Sequence, residues 1–205
     1  MPSPQTFDLP LFPLQTVLFP GGLLSLKVFE ARYLDLVGSC MRGQEPFGVV
    51  SLKQGSEVRR GNDPTVFETT GTMAELIDVD SAQPGILQVR CRGLQRFEVT
   101  RSTQEPDGLW VAEASLVPED ESVAPSEAFL ETVRGLANAI ATLKGKGSEP
   151  FLQPYLFDDA GWVANRWCEI LPISIAAKQK LMELPDAQVR LQLVNDFLRS
   201  KGVVK

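Results

Sequence analysis

Two residue pairs have the types and spacing of a nucleophile with its base: Ser25 with Lys27, and Ser51 with Lys53. Each pair lies two apart in an apolar stretch, so on a strand both side chains project from one face. A Ser-Lys dyad needs a lysine whose pKa has been lowered by burial or by a neighbouring cation. Nothing around either pair supplies that, and both read as ordinary strand positions. Gly145-Lys146-Gly147-Ser148 ends like a phosphate-cradling loop but lacks the upstream glycine and the preceding strand. Arg90, Arg92, Arg96 and Arg101, with Phe97 adjacent, have the cations and stacking ring of a nucleic-acid stripe. The plainer account makes Arg90 and Arg92 the solvated face of a strand whose other face holds Val89 and Cys91. A net charge of −6 gives no general attraction to phosphate backbones or anionic lipid.

The chain contains no histidine. That removes the usual general base near neutral pH, the Ser-His and Cys-His pairs, and the commonest zinc ligand. Cys40, Cys91 and Cys168 are far apart, odd in number and free of C-x-x-C spacing, which fits buried thiols in a reducing compartment. No metal and no cofactor are expected. Met1-Pro2-Ser3-Pro4-Gln5 has neither the basic start nor the apolar core of a signal peptide. No apolar run approaches the ~18 residues of a membrane span, so a cytoplasmic protein without membrane contact is the expectation.

The elements that would position these residues are organised around Leu9–Tyr33. Pro10 and Pro13 remove two backbone donors, which permits an edge strand and disfavours a central one. Pro20-Gly21-Gly22 marks a turn. Leu24, Leu26 and Val28 then alternate with Ser25 and Lys27 as a half-buried strand. From Phe29 the period becomes helical, with Phe29, Tyr33, Leu36, Val37 and Cys40 on one stripe. Further strands are predicted at Phe47–Leu52, Thr69–Asp80, Ile86–Cys91, Leu94–Val99 and Leu109–Val117, with Gly93 as a bend or bulge. Beyond an acidic stretch the period stays helical. Four amphipathic helices are predicted, with Asp158-Asp159, Ser174 and Asp186 as caps. The organisation is therefore α+β: a β-rich domain over 1–118, an acidic linker over 119–124, and a helical bundle over 125–205.

Phe19-Pro20-Gly21 and Phe29-Glu30-Ala31-Arg32-Tyr33, following the proline-punctuated strand with Pro13, resemble the opening of the amino-terminal substrate-binding domain of the Lon protease family. Gly93-Leu94-Gln95-Arg96-Phe97 is similar to that domain's Gly-x-x-Arg-Phe strand entry. Lys178-Gln179-Lys180-Leu181-Met182-Glu183 with Arg190-Leu191 resembles its closing helix pair. The resemblance implies a PUA-like β pseudobarrel with one inserted helix, followed by a helical bundle. At the start of the first helix, Glu30 or Arg32 is expected to tie helix to barrel, the alternative being direct contact with a partner. Glu30 is also favoured there by roughly 0.3–1 kcal/mol, and Arg96 is expected to form an ion pair at the barrel rim.

The function implied is recognition of unfolded or extended protein segments without catalysis, as an adaptor or holdase, with a separate ATPase or protease as a further partner. The family's ATPase and Ser-Lys protease domains are expected to be absent. The alternative from another class is a PUA-like module for a small molecule or RNA, and a carboxylate enzyme is a third. For the binding surface, the sequence suggests a shallow patch of Phe12, Phe19 and Phe67 rimmed by Arg59 and Arg60, against the plainer account that all three phenylalanines are core.

Overall fold

The computed structural model describes residues 5–57 and 64–204, so Arg59 and Arg60 lie outside the described residues. The chain divides into two compact units, Met1–Glu119 and Asp120–Lys205.

The first unit holds strands β1 (Thr6–Leu14), β2 (Leu23–Val28), β3 (Phe47–Gln54), β4 (Val66–Phe67), β5 (Thr70–Gln83), β6 (Ile86–Gln104) and β7 (Trp110–Leu116), with helix α1 (Ala31–Gly43) between β2 and β3. The sheet runs β1-β7-β6-β5-β3-β4, and a parallel β1–β3 pairing closes the first five of these into a barrel. Closure leaves those strands without a continuous open edge. β2 lies off this ring, antiparallel to the first half of β6.

The edge assignment for β1 needs correction, since the strand pairs on both sides. Thr6–Leu11 pairs β7 and Leu11–Leu14 pairs β3. Each proline is nonetheless accommodated. Pro10 and Pro13 sit in half-strands with one ladder neighbour each, so either can turn its missing donor away from it.

The two strands expected at Ile86–Cys91 and Leu94–Val99 are one, β6, unbroken through Gly93. This glycine is needed for close approach, and the β5–β6 register shifts beside it, between Gly93 and Arg96, as the expected bulge. A Cβ on Gly93 would lie 2.3 Å from the Phe19 carbonyl oxygen. The Phe19–Gly22 turn is stitched directly onto it: Gly21 N–H donates to the Gly93 carbonyl at 2.8 Å, and Gly93 N–H to Gly22 at 2.9 Å. Gly21 takes φ 71°, a value that favours glycine.

Two apolar clusters fill this unit. Leu9, Leu11, Val50, Phe97, Ala112 and Ala114 form one inside the barrel. The other packs Tyr33, Leu36, Val37 and Cys40 of α1 against Phe12, Leu24, Val28, Phe47, Val49 and Cys91. Phe29, expected to lead the buried stripe of α1, instead precedes the helix and is 49% exposed.

The second unit contains a 3-10 turn (Glu127–Phe129) and helices α2 (Leu130–Gly145), α3 (Ala160–Ile170), α4 (Ile175–Glu183) and α5 (Ala187–Ser200). The side chains of Asp159, Ser174 and Asp186 each accept a backbone N–H in the first turn of α3, α4 and α5. α3 is buried on every side from Ala160 to Cys168. On α5 the inward face is Arg190, Leu191, Val194 and Leu198, while Val189 and Leu193 are exposed.

The acidic stretch expected as a linker is hydrogen-bonded to these helices. Ser122 donates to Asp159 at 2.7 Å, Ala160 N–H to Val123, and Gln188 to Ala124. Deep in the unit Arg166 pairs with Glu169 at 2.7 Å. Burial pushes the Glu169 carboxyl up to about 7 despite the pull of that guanidinium.

Candidate functional site

A groove of about 390 Å³ opens in the first unit, and the spacing of its lining residues reveals its walls. From β1 it takes alternate residues, Phe12 and Leu14, and so meets one face of that strand. From β2 it takes five consecutive residues, Leu24 to Val28, and so meets that strand's edge. Tyr33 completes the floor, its ring stacked on Phe12 at 3.8 Å between centroids and 7° between planes. Phe29 stands at the rim beside Glu30 and Glu57.

The floor is rigid because its parts are fixed from behind. Phe12 also packs on Phe47, with ring centroids 6.1 Å apart. Arg32 is buried, donates to the Gly108 carbonyl at 2.8 Å and to Glu30 at 3.0 Å, and stacks over the Tyr33 ring at 4.6 Å. One guanidinium therefore anchors the start of α1 to the β6–β7 turn and braces the ring that floors the groove. Burial also raises the Tyr33 pKa to about 12, so the phenol stays neutral at physiological pH. The groove thus offers aromatic and aliphatic surface with carboxylates at its rim, and Ser25 and Lys27 stand on the strand that forms its wall. Ser25 and Lys27 are exposed on β2, whereas Ser51 is buried and the Lys53 ammonium is bound to Glu68 at 2.7 Å.

The expected aromatic patch is not assembled. Phe19 is fully buried and Phe12 is 6% exposed, because the turn after Phe19 is drawn onto Gly93 and carries the ring inward. Phe67 sits with the other cluster, edge-on to Trp110 at 5.4 Å. Of the three, Phe12 alone reaches the groove, as floor.

The arginine stripe is answered by the ladder. Arg90 lies opposite Asp78, Arg92 opposite Glu75, and Arg101 opposite Glu113. Arg96 is buried and donates to the Pro118 carbonyl, two residues beyond β7. A second groove, about 790 Å³, lies at the other end of α1 beside Met41, Glu45, Glu75, Ile77 and Asp78.

The sequence matches the family described as ATP-dependent protease La (LON) substrate-binding domain over residues 8–200. The chain belongs to that family. As a Lon substrate-binding domain it is 27% identical to Lon protease of Anaeromyxobacter dehalogenans (strain 2CP-C) over 202 residues, covering 94% of this chain and 23% of that protein. To Lon protease of Paraburkholderia phytofirmans (strain DSM 17436 / LMG 22146 / PsJN) it is 29% identical over 190 residues, 90% of this chain and 23% of that protein. The chain thus spans about a quarter of the length of these curated relatives.

Among solved structures, the Lon N-terminal domain protein from Xanthomonas campestris matches with a TM-score of 0.73 at 32% identity, over 93% of this chain and 98% of that one. The N-terminal domain of Mycobacterium avium complex Lon protease matches with a TM-score of 0.60 at 18% identity, over 93% and 97%, a likeness of fold. The α+β architecture is that of the Lon N-terminal domain. Among the described residues, no helix is long and apolar enough to cross a membrane.

The motif residues shared with that domain are mostly architectural here. Gly93 receives the Phe19–Gly22 turn, Phe97 fills the barrel, and Glu30, Arg32 and Tyr33 brace the helix start. Sequence reasoning missed the groove's two distinctive features, the edge of β2 and the half-exposed Phe29. A signal for the second existed. Phe29 falls where a period of two gives way to a helical period, and a large apolar residue at such a junction need not belong to either buried stripe.

Proposed function

We propose that this Lon substrate-binding domain holds unfolded or extended segments of other proteins in the groove beside β2, and performs no chemistry on them. The observation that carries the reading is Phe29, half exposed above a floor of stacked aromatic rings. A large aromatic left partly in water is costly unless something covers it some of the time. Family membership supports the same reading, since the matching family is described as substrate-binding. Affinity is weak and tolerant of sequence, as suits an adaptor or holdase that passes its client to a separate ATPase or protease.

Phe29→Ser tests the site. Truncating a partly exposed ring outside the helix leaves the melting temperature within about 2 °C, while capture of a chemically denatured reporter protein falls about tenfold, equivalent to about 1.4 kcal/mol. Capture equal to wild type by the folded variant overturns the reading.

A further inference from the structure

We infer that the client joins the sheet as an added strand on the free edge of β2, and that the site selects segments whose apolar residues alternate. This rests on the groove being the binding site and adds how the client is read.

β2 has one ladder partner, β6, and no other strand among the described residues pairs with it. Which of its backbone groups are spoken for follows from the hydrogen bond of Gly93 N–H to the Gly22 carbonyl. In an antiparallel ladder the bonded positions recur every second residue. Gly22 opposite Gly93 therefore makes Leu24, Leu26 and Val28 the residues bonded to β6. The N–H and C=O groups of Leu23, Ser25 and Lys27 point the other way, those of Ser25 and Lys27 along the wall where five consecutive β2 residues line the groove. The groove wall is a row of donors and acceptors at strand spacing.

The faces of such an added strand would differ. Leu24 and Val28 lie in the same apolar cluster as Phe12, Leu14 and Tyr33, with Leu26 packed against it, so one face of the extended sheet continues over the groove floor. The other face carries Ser25 and Lys27, both exposed. A segment paired to β2 presents every second side chain to the aromatic floor and the rest to water. Alternation of apolar and polar residues is the pattern of a half-buried strand, so the preferred clients are strands of proteins that have lost their fold. Helical segments, apolar at every third and fourth position, cannot satisfy floor and edge together. Lys27, in mid-strand, also discourages pairing with a second copy of this chain.

Four synthetic peptides of one composition test this. One alternates apolar and polar residues, one places the same residues at helical spacing, and two carry the alternating sequence N-methylated on one or the other alternate set of amides. Each competes with the denatured reporter for wild-type protein. The alternating peptide competes at least tenfold better than the helically spaced one. Methylating one set of amides abolishes its competition and methylating the other leaves it within about twofold, since a strand turns alternate N–H groups toward its neighbour. Equal competition by the alternating and helical peptides, or equal effects of the two methylated sets, overturns strand addition. If both unmethylated peptides compete equally and both lose affinity for Phe29→Ser, groove binding survives while strand addition falls. If neither competes at all, both fall.

Discussion

Arg190→Ala is expected to destabilise the helical unit by about 3–5 kcal/mol, the range for breaking a buried, fully engaged ion pair. Its guanidinium is 1% exposed and serves four partners. Nε donates to the Leu181 carbonyl at 2.9 Å, and Nη1 to Asp120 at 2.6 Å and Asn165 at 3.1 Å. Nη2 donates to the Leu184 carbonyl. The side chain thus joins the end of α4, the middle of α3 and the acidic stretch that enters the unit. Alanine takes the Arg190 guanidinium away from the largely covered Asp120 carboxylate and removes the shared donor from the end of α4. Lysine keeps the charge but not the planar fork, so Arg190→Lys recovers part of the loss at most. Urea unfolding followed by circular dichroism measures it. A loss under 1 kcal/mol for Arg190→Ala would show that the network contributes geometry without stability.

The second large effect belongs to Phe19. Phe19→Ala is expected to cost about 3–5 kcal/mol in the barrel unit, as for other fully buried phenylalanines. The ring is wholly enclosed, and no collapse can fill its space cheaply because its own carbonyl is fixed by Gly22 N–H at 2.9 Å and abuts Gly93. The melting temperature should drop by many degrees, and whatever protein remains folded should capture denatured reporter as wild type does. A stable variant that had lost capture would return Phe19 to the binding surface.

The two residues illustrate what could and could not be read in advance. The caps at Asp159, Ser174 and Asp186 were legible because capping is settled within three or four residues of chain. So was the turn at Pro20-Gly21-Gly22. The continuity of β6 was not, since a glycine inside an apolar run ends a strand or admits a close neighbour according to what lies across from it. The neighbour here, the Phe19 carbonyl, is 74 positions away, counting from 19 to 93. Arg190 was visible as part of a motif, but its role depends on acceptors from three separate segments. Phe12 and Phe19 show the limit for candidate sites. Apolar content says that a residue prefers burial, and the path of the turn decides which residue is left at the surface; that residue was Phe29. The free edge of β2 follows from topology alone, because the barrel closes through β1 and β3 and leaves β2 outside the ring.

The claim on which the functional account depends is the location of the client. An amide-resolved NMR titration of the isotope-labelled protein with the alternating peptide tests it most directly. The account predicts shifts concentrated at Leu23–Val28 of β2, at Phe29 and Glu30, and at Tyr33, with the Leu23, Ser25 and Lys27 amides moving most as they gain hydrogen-bond partners. Shifts confined instead to the second groove, around Met41, Glu45 and Ile77, with β2 unmoved, would contradict it.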